Sequence, residues 1–382
     1  MITLNNIQAK AHVLSYGVKI SDTSLKSFGE PFLCKRRAYS NMDDRKFTYE
    51  NVPQEIVILP QQLVVGVVLR EESPWSIELI NNKYFLTRDG YENIEITFTQ
   101  TPEFYGKVMP NGKKVESAIT LLFGHTIGVF ANTNCYFATI GKQCKYCSIQ
   151  SNTARPKDLI NQLDISTTIN AIELAITMNS CVDCVFISGG NFNGFDENFK
   201  FYSQLALSVK KLIDYYKRDI TVMLNVFPPK NIELIEILRD AGINVLVSTE
   251  VFDEDLFNTF CPGKAKILSK ERLKKVLIKY LDVLGEYHVY SIVIQGLETE
   301  NTLIQGIKDY ASMGVCPIVN ILHPDPGTEV YDIGIRQPFP EAILRVTNVI
   351  SQVYSQYGFN SAQVYGGRSS FDKEASLGLL IQ

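Results

Sequence analysis

The pattern of apolar and polar positions changes between about residues 115 and 125. Before this point, short runs rich in Val, Ile, Thr and aromatic residues are separated by turn residues such as Asn81-Asn82 and Asp89-Gly90. Such runs predict an antiparallel β region. No strong helical stripe is visible here, so we expect residues 1–115 to form a β-rich cap or accessory domain. The predicted strands lie at 62–70, 76–80, 84–87 and 94–99.

From about residue 125, apolar strand-like runs alternate with helical stretches. This alternation predicts an α/β fold in which helices wrap a parallel sheet. Six units fit a partial (β/α)6 TIM-like barrel better than a full eight-stranded one, and we place it at 116–335. A C-terminal helix and closing segment would occupy 336–382. The predicted strands lie at 126–131, 184–187, 220–226, 244–247, 289–294 and 317–322, and the predicted helices at 164–178, 199–216, 232–241, 270–284, 302–312 and 341–356.

Composition and charge exclude several classes of protein. With 45% hydrophobic and 20% charged residues, the chain of 382 residues is not predominantly disordered. A net charge of −4 gives no support for nucleic-acid binding. Neither a membrane-spanning apolar run nor a signal peptide is visible. We therefore expect a cytoplasmic protein without nucleic-acid or membrane partners.

The eight cysteines indicate metal chemistry or core packing, because cytosolic thiols stay reduced. Cys135, Cys144 and Cys147 follow the first barrel strand, where barrels of this kind carry active-site residues. Three thiolates leave a coordination position open, as catalytic metal sites do. Thiolates select zinc or iron–sulfur clusters. A structural zinc site with a fourth ligand such as His125 is the alternative.

Over roughly 125–335 the chain resembles the radical SAM superfamily, whose usual motif is C-x3-C-x-φ-C with φ aromatic. Here the spacing is C-x8-C-x2-C, and Tyr146 is the aromatic residue before the last cysteine. The resemblance implies that Cys135, Cys144 and Cys147 hold an oxygen-sensitive [4Fe–4S] cluster whose open iron binds S-adenosylmethionine (SAM). It also implies reductive cleavage of SAM to a 5′-deoxyadenosyl radical, with an electron from a flavodoxin- or ferredoxin-like donor.

Other strand ends are similar to the SAM-binding parts of this superfamily. Ser188-Gly189-Gly190-Asn191 resembles the GGE motif that receives the amino group of SAM, with Asn191 in place of Glu. Glycine permits that close approach. An ordinary βα turn is the alternative. The resemblance implies these cofactor contacts: Tyr146, Ser188, Gly189, Gly190, Asn191, Asn225, Glu250, Gln295 and Gly296.

Two of the strand-end residues are also catalytic candidates. Glu250 ends the fourth predicted strand, where a ribose or substrate contact belongs, and His323 ends the sixth, where it would face the substrate. Glu250 is otherwise a helix cap or a surface acid. His323 is otherwise a residue of the barrel rim.

The positions of the remaining cysteines bear on how many iron–sulfur clusters the chain could hold. No cysteine follows Cys316, so a C-terminal auxiliary-cluster domain is absent from this sequence. Cys181-x-x-Cys184 is a second CxxC, which we interpret as core packing because Cys184 opens a strand at the amino end of the barrel; an extra metal site is the alternative. Cys316 also opens a strand and is interpreted in the same way. Cys261 follows the fourth predicted strand and is therefore expected at the carboxyl end of the barrel. It is a ligand of a second cluster, a residue that forms a thiyl radical, or a loop cysteine without a role in the chemistry.

Three functions follow from these features. The first is a radical SAM enzyme acting on a small molecule in cofactor or natural-product biosynthesis. The second is radical SAM modification of a peptide or protein, with residues 1–115 as the docking module. The third, of another class, is a structural zinc- or cluster-binding barrel without SAM cleavage. A cobalamin-binding domain is not expected, because the N-terminal region is too short and too β-rich.

Overall fold

The structure is a computed structural model that describes residues 1–28, 31–34, 52–149, 159–359 and 368–380. Within these residues the chain forms two β-sheets, one of six strands and one of seven. Part of the predicted closing segment, 360–367 and 381–382, lies outside the described residues.

The six-stranded sheet confirms the β-rich N-terminal region, since all four predicted strands are present. Its order is β1-β4-β5-β6-β2-β3, and its pairs are antiparallel except for β1 with β4. The elements are α1 (Asn6–Tyr16), β1 (Lys19–Ile20), α2 (Asp22–Ser27), β2 (Glu55–Ile58), β3 (Leu63–Gly66), β4 (Ser76–Ile80), β5 (Lys83–Thr87) and β6 (Ile94–Phe98).

The helix α1 was not predicted, because no strong helical stripe is visible before residue 115. A capping box begins α1, with the Asn5 side chain accepting from the backbone of Gln8 and the Gln8 side chain accepting from the backbone of Asn5. Its buried face includes the polar residues Lys10 and Ser15. These interrupt the apolar stripe, so hydrophobic periodicity alone does not reveal the helix.

The seven-stranded sheet has the consecutive order β7 to β13 and is parallel from β8 to β13. This open, curled sheet with helices around it confirms the predicted half-barrel. The antiparallel first strand β7 was not predicted. The strands are β7 (Ile119–Leu122), β8 (Thr126–Phe130), β9 (Cys184–Ser188), β10 (Thr221–Asn225), β11 (Asn244–Glu250), β12 (Val289–Gln295) and β13 (Cys316–Ile321).

The helices of this part agree closely with the predicted stretches. Asp164 caps α4 by accepting a hydrogen bond from the Thr167 backbone, and Gly285 ends α8. The predicted helix over 232–241 is a 3₁₀ helix, Ile232–Leu238, and a second 3₁₀ turn is Val115–Ser117. The α-helices are α3 (Tyr136–Thr139), α4 (Ile165–Met178), α5 (Phe195–Tyr215), α6 (Glu254–Phe260), α7 (Pro262–Ala265), α8 (Lys270–Leu284), α9 (Glu300–Ser312), α10 (Glu329–Asp332), α11 (Pro340–Tyr357) and α12 (Asp372–Ser376).

The N-terminal sheet packs against the last strand of the half-barrel. Its apolar core is shared with Ile321 of β13, Ile343 of α11 and Phe371. The Arg70 guanidinium also donates to the Pro324 carbonyl, at the carboxyl end of β13, with a length of 2.7 Å. These contacts join the two sheets into one packed body, while the division at 115 and 335 stays a prediction. Among the described helices, none combines the length and apolarity that a bilayer crossing requires.

Candidate functional site

The three predicted cysteines lie at the carboxyl end of the half-barrel. The chain leaves β8 and reaches Cys135, which is the N-cap of the short helix α3. The Tyr136 amide donates to the Asn191 carbonyl at 2.7 Å, so the loop is fastened to the end of β9. A turn in which the Cys147 amide donates to the Cys144 carbonyl at 3.0 Å then brings these two cysteines together.

All three cysteines line one cavity of about 160 Å³. Six other predicted cofactor residues share its wall, so residues from three strand ends and the cysteine loop converge on this cavity. The predicted residues in the wall are Cys135, Cys144, Tyr146, Cys147, Gly189, Gly190, Asn191, Asn225 and Glu250. Ser188 lies just beside it, since its hydroxyl is 3.3 Å from the Asn225 amide nitrogen.

The structure does not bring Gln295, Gly296 and His323 to this cavity. The Gln295 amide donates to the Ala342 carbonyl of α11 at 2.9 Å, so this side chain is directed away from the cysteines. Gly296 makes a turn at φ 111° beside Leu322. The imidazole of His323 lies 3.5 Å from a carboxylate oxygen of Asp325. Their predicted contacts with cofactor or substrate therefore find no support in this cavity.

Gly189 and Gly190 support the cysteine loop through their backbone. Gly190 donates to the Asn132 carbonyl at 2.6 Å and accepts from the Tyr202 hydroxyl at 3.0 Å. A Cβ atom on Gly190 would lie 2.9 Å from the backbone of Cys135, and one on Gly189 would lie 2.4 Å from the Tyr202 hydroxyl. No side chain fits at either position, so both glycines are needed for the loop as well as for the cavity wall.

Glu250 is held in an uncommon conformation at the end of β11. Its φ is 69°, beside a register shift between Ser248 and Glu250, and its side chain is buried. The carboxylate is paired with the partly buried ammonium of Lys264 from α7. A buried carboxylate excludes the interpretation of Glu250 as a surface acid. A paired carboxylate at the cavity wall can accept hydrogen bonds from a bound ligand.

Lys264 is a cavity residue that sequence reasoning missed. Burial by itself would lower the pKa of Lys264, but the charges of Glu250 and Cys144 raise it above its ordinary value. The cavity wall therefore carries the charged pair of Glu250 and Lys264 next to the cysteines. Lys264 lies on a short helix rather than at a strand end. Its place after Cys261-Pro262-Gly263 is the one signal in the sequence.

The environments of the cysteines differ. A hydrogen bond from Cys261 lowers the pKa of the Cys144 thiol in spite of its burial. Burial raises the pKa of the Cys147 thiol to about 12. A metal must therefore displace the proton of Cys147, which couples metal binding at this thiol to proton release.

The alternative zinc ligand His125 lies at the other end of the barrel. It precedes β8, whereas Cys135 follows it, so the length of the strand separates them. The imidazole nitrogen Nδ1 of His125 is 2.7 Å from a carboxylate oxygen of Asp183. A zinc site made by the three cysteines and His125 is therefore excluded by the geometry.

The remaining cysteines are only partly as predicted. Cys184 and Cys316 are buried at the starts of β9 and β13, which confirms their core packing. Cys181 is exposed in the turn before β9, so its interpretation as a core residue is wrong. Cys261 is fully buried beside the cysteine loop.

Comparisons with known proteins give one relative by sequence. The chain is 20% identical over 264 residues to the bacteriochlorophyllide c C-7(1)-hydroxylase of Chlorobaculum limnaeum, and the match covers 65% of this chain. It covers 64% of that hydroxylase, which is less than two thirds of its length. No family profile matches the chain.

Two solved structures have a partly similar fold. A radical SAM methyltransferase from Sphaerobacter thermophilus is 12% identical, with 75% of each chain covered and a TM-score of 0.45. The [FeFe]-hydrogenase maturase HydG is 14% identical, covering 60% of this chain and 49% of its own, with a TM-score of 0.46.

The half-barrel and the three-cysteine loop are the features by which the chain resembles the radical SAM superfamily. The cofactors that this resemblance implies are a [4Fe–4S] cluster and SAM.

The donor set of the cavity fits this cluster. Three cysteines face one space, and thiolates are the ligands that iron–sulfur clusters require. Among the described residues no three His, Cys, Asp or Glu side chains converge tightly enough to chelate a single ion. In a cluster each cysteine would bind a different iron, so the three thiols need not converge on one ion. Cys135, Cys144 and Cys147 would hold the cluster.

Proposed function

We propose that the chain cleaves SAM reductively and uses the product radical on a small-molecule substrate in cofactor or natural-product biosynthesis. When bound, the cluster and SAM supply one electron and a C–S bond, giving methionine and a 5′-deoxyadenosyl radical that takes a hydrogen atom from a substrate C–H bond. The observation that carries this proposal is the shared cavity of the three cysteines with Gly189, Gly190 and Glu250.

The chain's own residues would bind and orient SAM. Gly189, Gly190 and Asn191 present backbone at the cavity wall next to Cys135, where the amino end of SAM would lie. Glu250, paired with Lys264, offers buried carboxylate oxygens at the end of β11, two strands along the sheet from β9. Fixed groups of this kind orient a bound cofactor without reorganising during the reaction.

The proposal of a small-molecule substrate is supported by the sequence relative. The hydroxylase of Chlorobaculum limnaeum is named for a pigment intermediate, a small organic molecule with C–H bonds as the site of reaction. We extend to this chain only the chemical class, a small organic molecule that loses a hydrogen atom. The electron would come from a flavodoxin- or ferredoxin-like protein.

The test begins with protein purified without oxygen. We expect about four iron and four sulfide ions per chain, and formation of 5′-deoxyadenosine when dithionite and SAM are added. Cys147→Ala should reduce that rate to about one hundredth or less, because the cluster loses a ligand. Cys181→Ala is the matched control, since Cys181 is exposed and remote from the cavity; it should keep wild-type iron content and rate.

Two results would contradict the proposal. Stoichiometric zinc without iron would favour the structural-barrel function, which has no SAM cleavage. A Cys147→Ala protein with wild-type SAM cleavage would remove the cysteine loop from the mechanism.

A further inference from the structure

Another cavity, of about 540 Å³, lies at the amino end of the half-barrel, and the proposed function does not use it. Its walls come from three separate parts of the chain: the N-terminal sheet, the turn between β7 and β8, and the C-terminal segment around α12. The turn precedes β8 whereas the cysteine loop follows it, so the length of this strand separates the two cavities. A volume of this size at the junction of several elements is typical of a site for a small molecule.

One face of the N-terminal sheet forms the floor of this cavity. Val57 of β2 lies directly opposite Val64 of β3 and Thr97 of β6 in the strand register, and all three are half-buried residues of the cavity wall. Successive side chains of a strand point to opposite faces of a sheet, so the residues next to these three in sequence belong to the apolar core on the other face. Those core residues are Ile56, Ile58, Leu63, Val65, Ile96 and Phe98.

The other two walls are also largely apolar. The turn between β7 and β8 contributes Phe123 and His125, and the C-terminal segment contributes Leu377 and Leu379. Leu377 is 51% exposed, although its side chain is large and apolar. A ligand held between these walls and the floor would remove such apolar surface from water, which favours binding.

The polar part of the wall includes the buried ion pair of Lys10 and Glu374, whose charges cancel. The Oε1 atom of Glu374 contacts Lys10, but its buried Oε2 atom has no hydrogen-bond partner among the described residues. Glu374 is only 5% exposed, and a buried acceptor without a donor costs free energy. A hydroxyl or N–H group of a ligand in the cavity can supply that donor without adding a charge.

We propose that this cavity binds a neutral, mostly apolar small molecule whose hydroxyl or N–H group donates to Glu374. A charged group on the ligand would be buried beside an ion pair that is already balanced, so it would lack a partner of its own. Lys373 in the same wall would favour an anion instead, and the experiment separates the two cases. The site goes beyond the proposed function and does not depend on the cysteine loop.

The experiment follows the fluorescence of N-phenyl-1-naphthylamine, a neutral apolar amine, as it binds to the full chain purified without oxygen. We expect saturable binding at a single site and displacement of the probe by 1-octanol. Octanoate and octylamine carry the same apolar chain and should displace the probe about tenfold more weakly or less, because each would bury an unpaired charge.

Two variants locate the binding in this cavity. Val64→Trp fills the floor, and Leu377→Asp places a charge on an exposed part of another wall; each should weaken binding of the probe about tenfold or more. Ile278→Asp is the matched control, because Ile278 is also 51% exposed and lies on α8, outside the cavity. This control should bind the probe as the wild type does.

Circular dichroism shows which variants are folded, and Leu377→Asp decides alone if Val64→Trp is unfolded. The inference would be overturned by wild-type protein that shows no saturable binding, or by wild-type affinity in a folded variant of the cavity. Displacement by octanoate or octylamine as strong as that by 1-octanol would overturn the neutral class of ligand. These readouts do not involve iron content or SAM cleavage, so the inference and the proposed function fail or stand separately.

Discussion

Gly190 has two structural roles at a single position. It forms part of the cavity wall, and its backbone holds the chain that leads into Cys135. The sequence motif suggested only the first role, a close approach of a cofactor. The contact with Asn132 and Cys135 adds the second, since two backbone segments touch where no side chain can fit.

Gly190→Ala should therefore displace the cysteine loop. We expect a loss of about 1–3 kcal/mol in the free energy of unfolding, from a Cβ forced into the backbone of Cys135, and a lower iron content per chain. Iron analysis and thermal unfolding measure the two effects.

Gly90→Ala is the control, because Gly90 has φ 81° but no neighbour within 4 Å. It should cost about 1 kcal/mol through backbone strain and leave the iron content unchanged. Equal iron in the two variants would show that Gly190 does not support the loop.

Among the elements, α1 is tied to the C-terminal helix α12 by a buried charge pair. The ammonium of Lys10 contacts the carboxylate of Glu374, and both side chains are almost completely buried. Lys10 also lies over the ring of Phe371, 5.0 Å from its centre. The pair joins elements 364 residues apart in the chain, so no local pattern could reveal it.

Lys10→Met should destabilise the protein strongly. It leaves the Glu374 carboxylate buried without its cation, which costs about 3–5 kcal/mol. The double variant Lys10→Met, Glu374→Met should recover most of this loss, because replacing both partners with apolar groups removes the unpaired charge. Chemical denaturation of the wild type and of the variants measures the free energies of unfolding; equal stability of the single and double variants would refute the explanation.

For the whole molecule, Asp372 lies where α1, the half-barrel and the C-terminal segment meet. It is buried, and its carboxylate accepts a hydrogen bond from the Ser370 hydroxyl. Burial raises the pKa of Asp372 to about 7. The titratable groups around it are Lys10, Tyr290, Cys316, Tyr354 and Glu374.

This raised pKa makes stability depend on pH. Between about pH 4 and pH 7 the folded protein keeps the Asp372 proton while the unfolded chain loses it, so this contribution to stability falls as pH rises through the window. Relative to Asp372→Asn, the wild type should lose on the order of 4 kcal/mol across it. Denaturation of both proteins at several pH values measures the difference.

Asp89→Asn is the matched control, since Asp89 is exposed. Its stability should remain parallel to that of the wild type over the same range. A difference between wild type and Asp372→Asn that does not change with pH would show that Asp372 is ionised throughout.

Much of the half-barrel was predictable from local pattern. The six parallel strands and most of their helices follow from apolar periodicity and caps such as Asp164 and Gly285, which act within a few residues. The helix α1 was not predictable in this way, because its polar residue Lys10 is buried against a distant partner. The exposure of Cys181 was not predictable either, because Cys181 lies in a turn just before β9.

The candidate site also combines features that local sequence predicts with features that only tertiary contacts determine. The spacing and strand-end position of Cys135, Cys144 and Cys147 already set the kind of chemistry, because parallel strands carry their carboxyl ends to one edge. Which further side chains face those cysteines depended on packing between remote segments. Packing placed Lys264 and Cys261 in that group and directed Gln295 toward α11. Side-chain direction is fixed by neighbours that the local sequence does not specify, and only the folded chain supplies them.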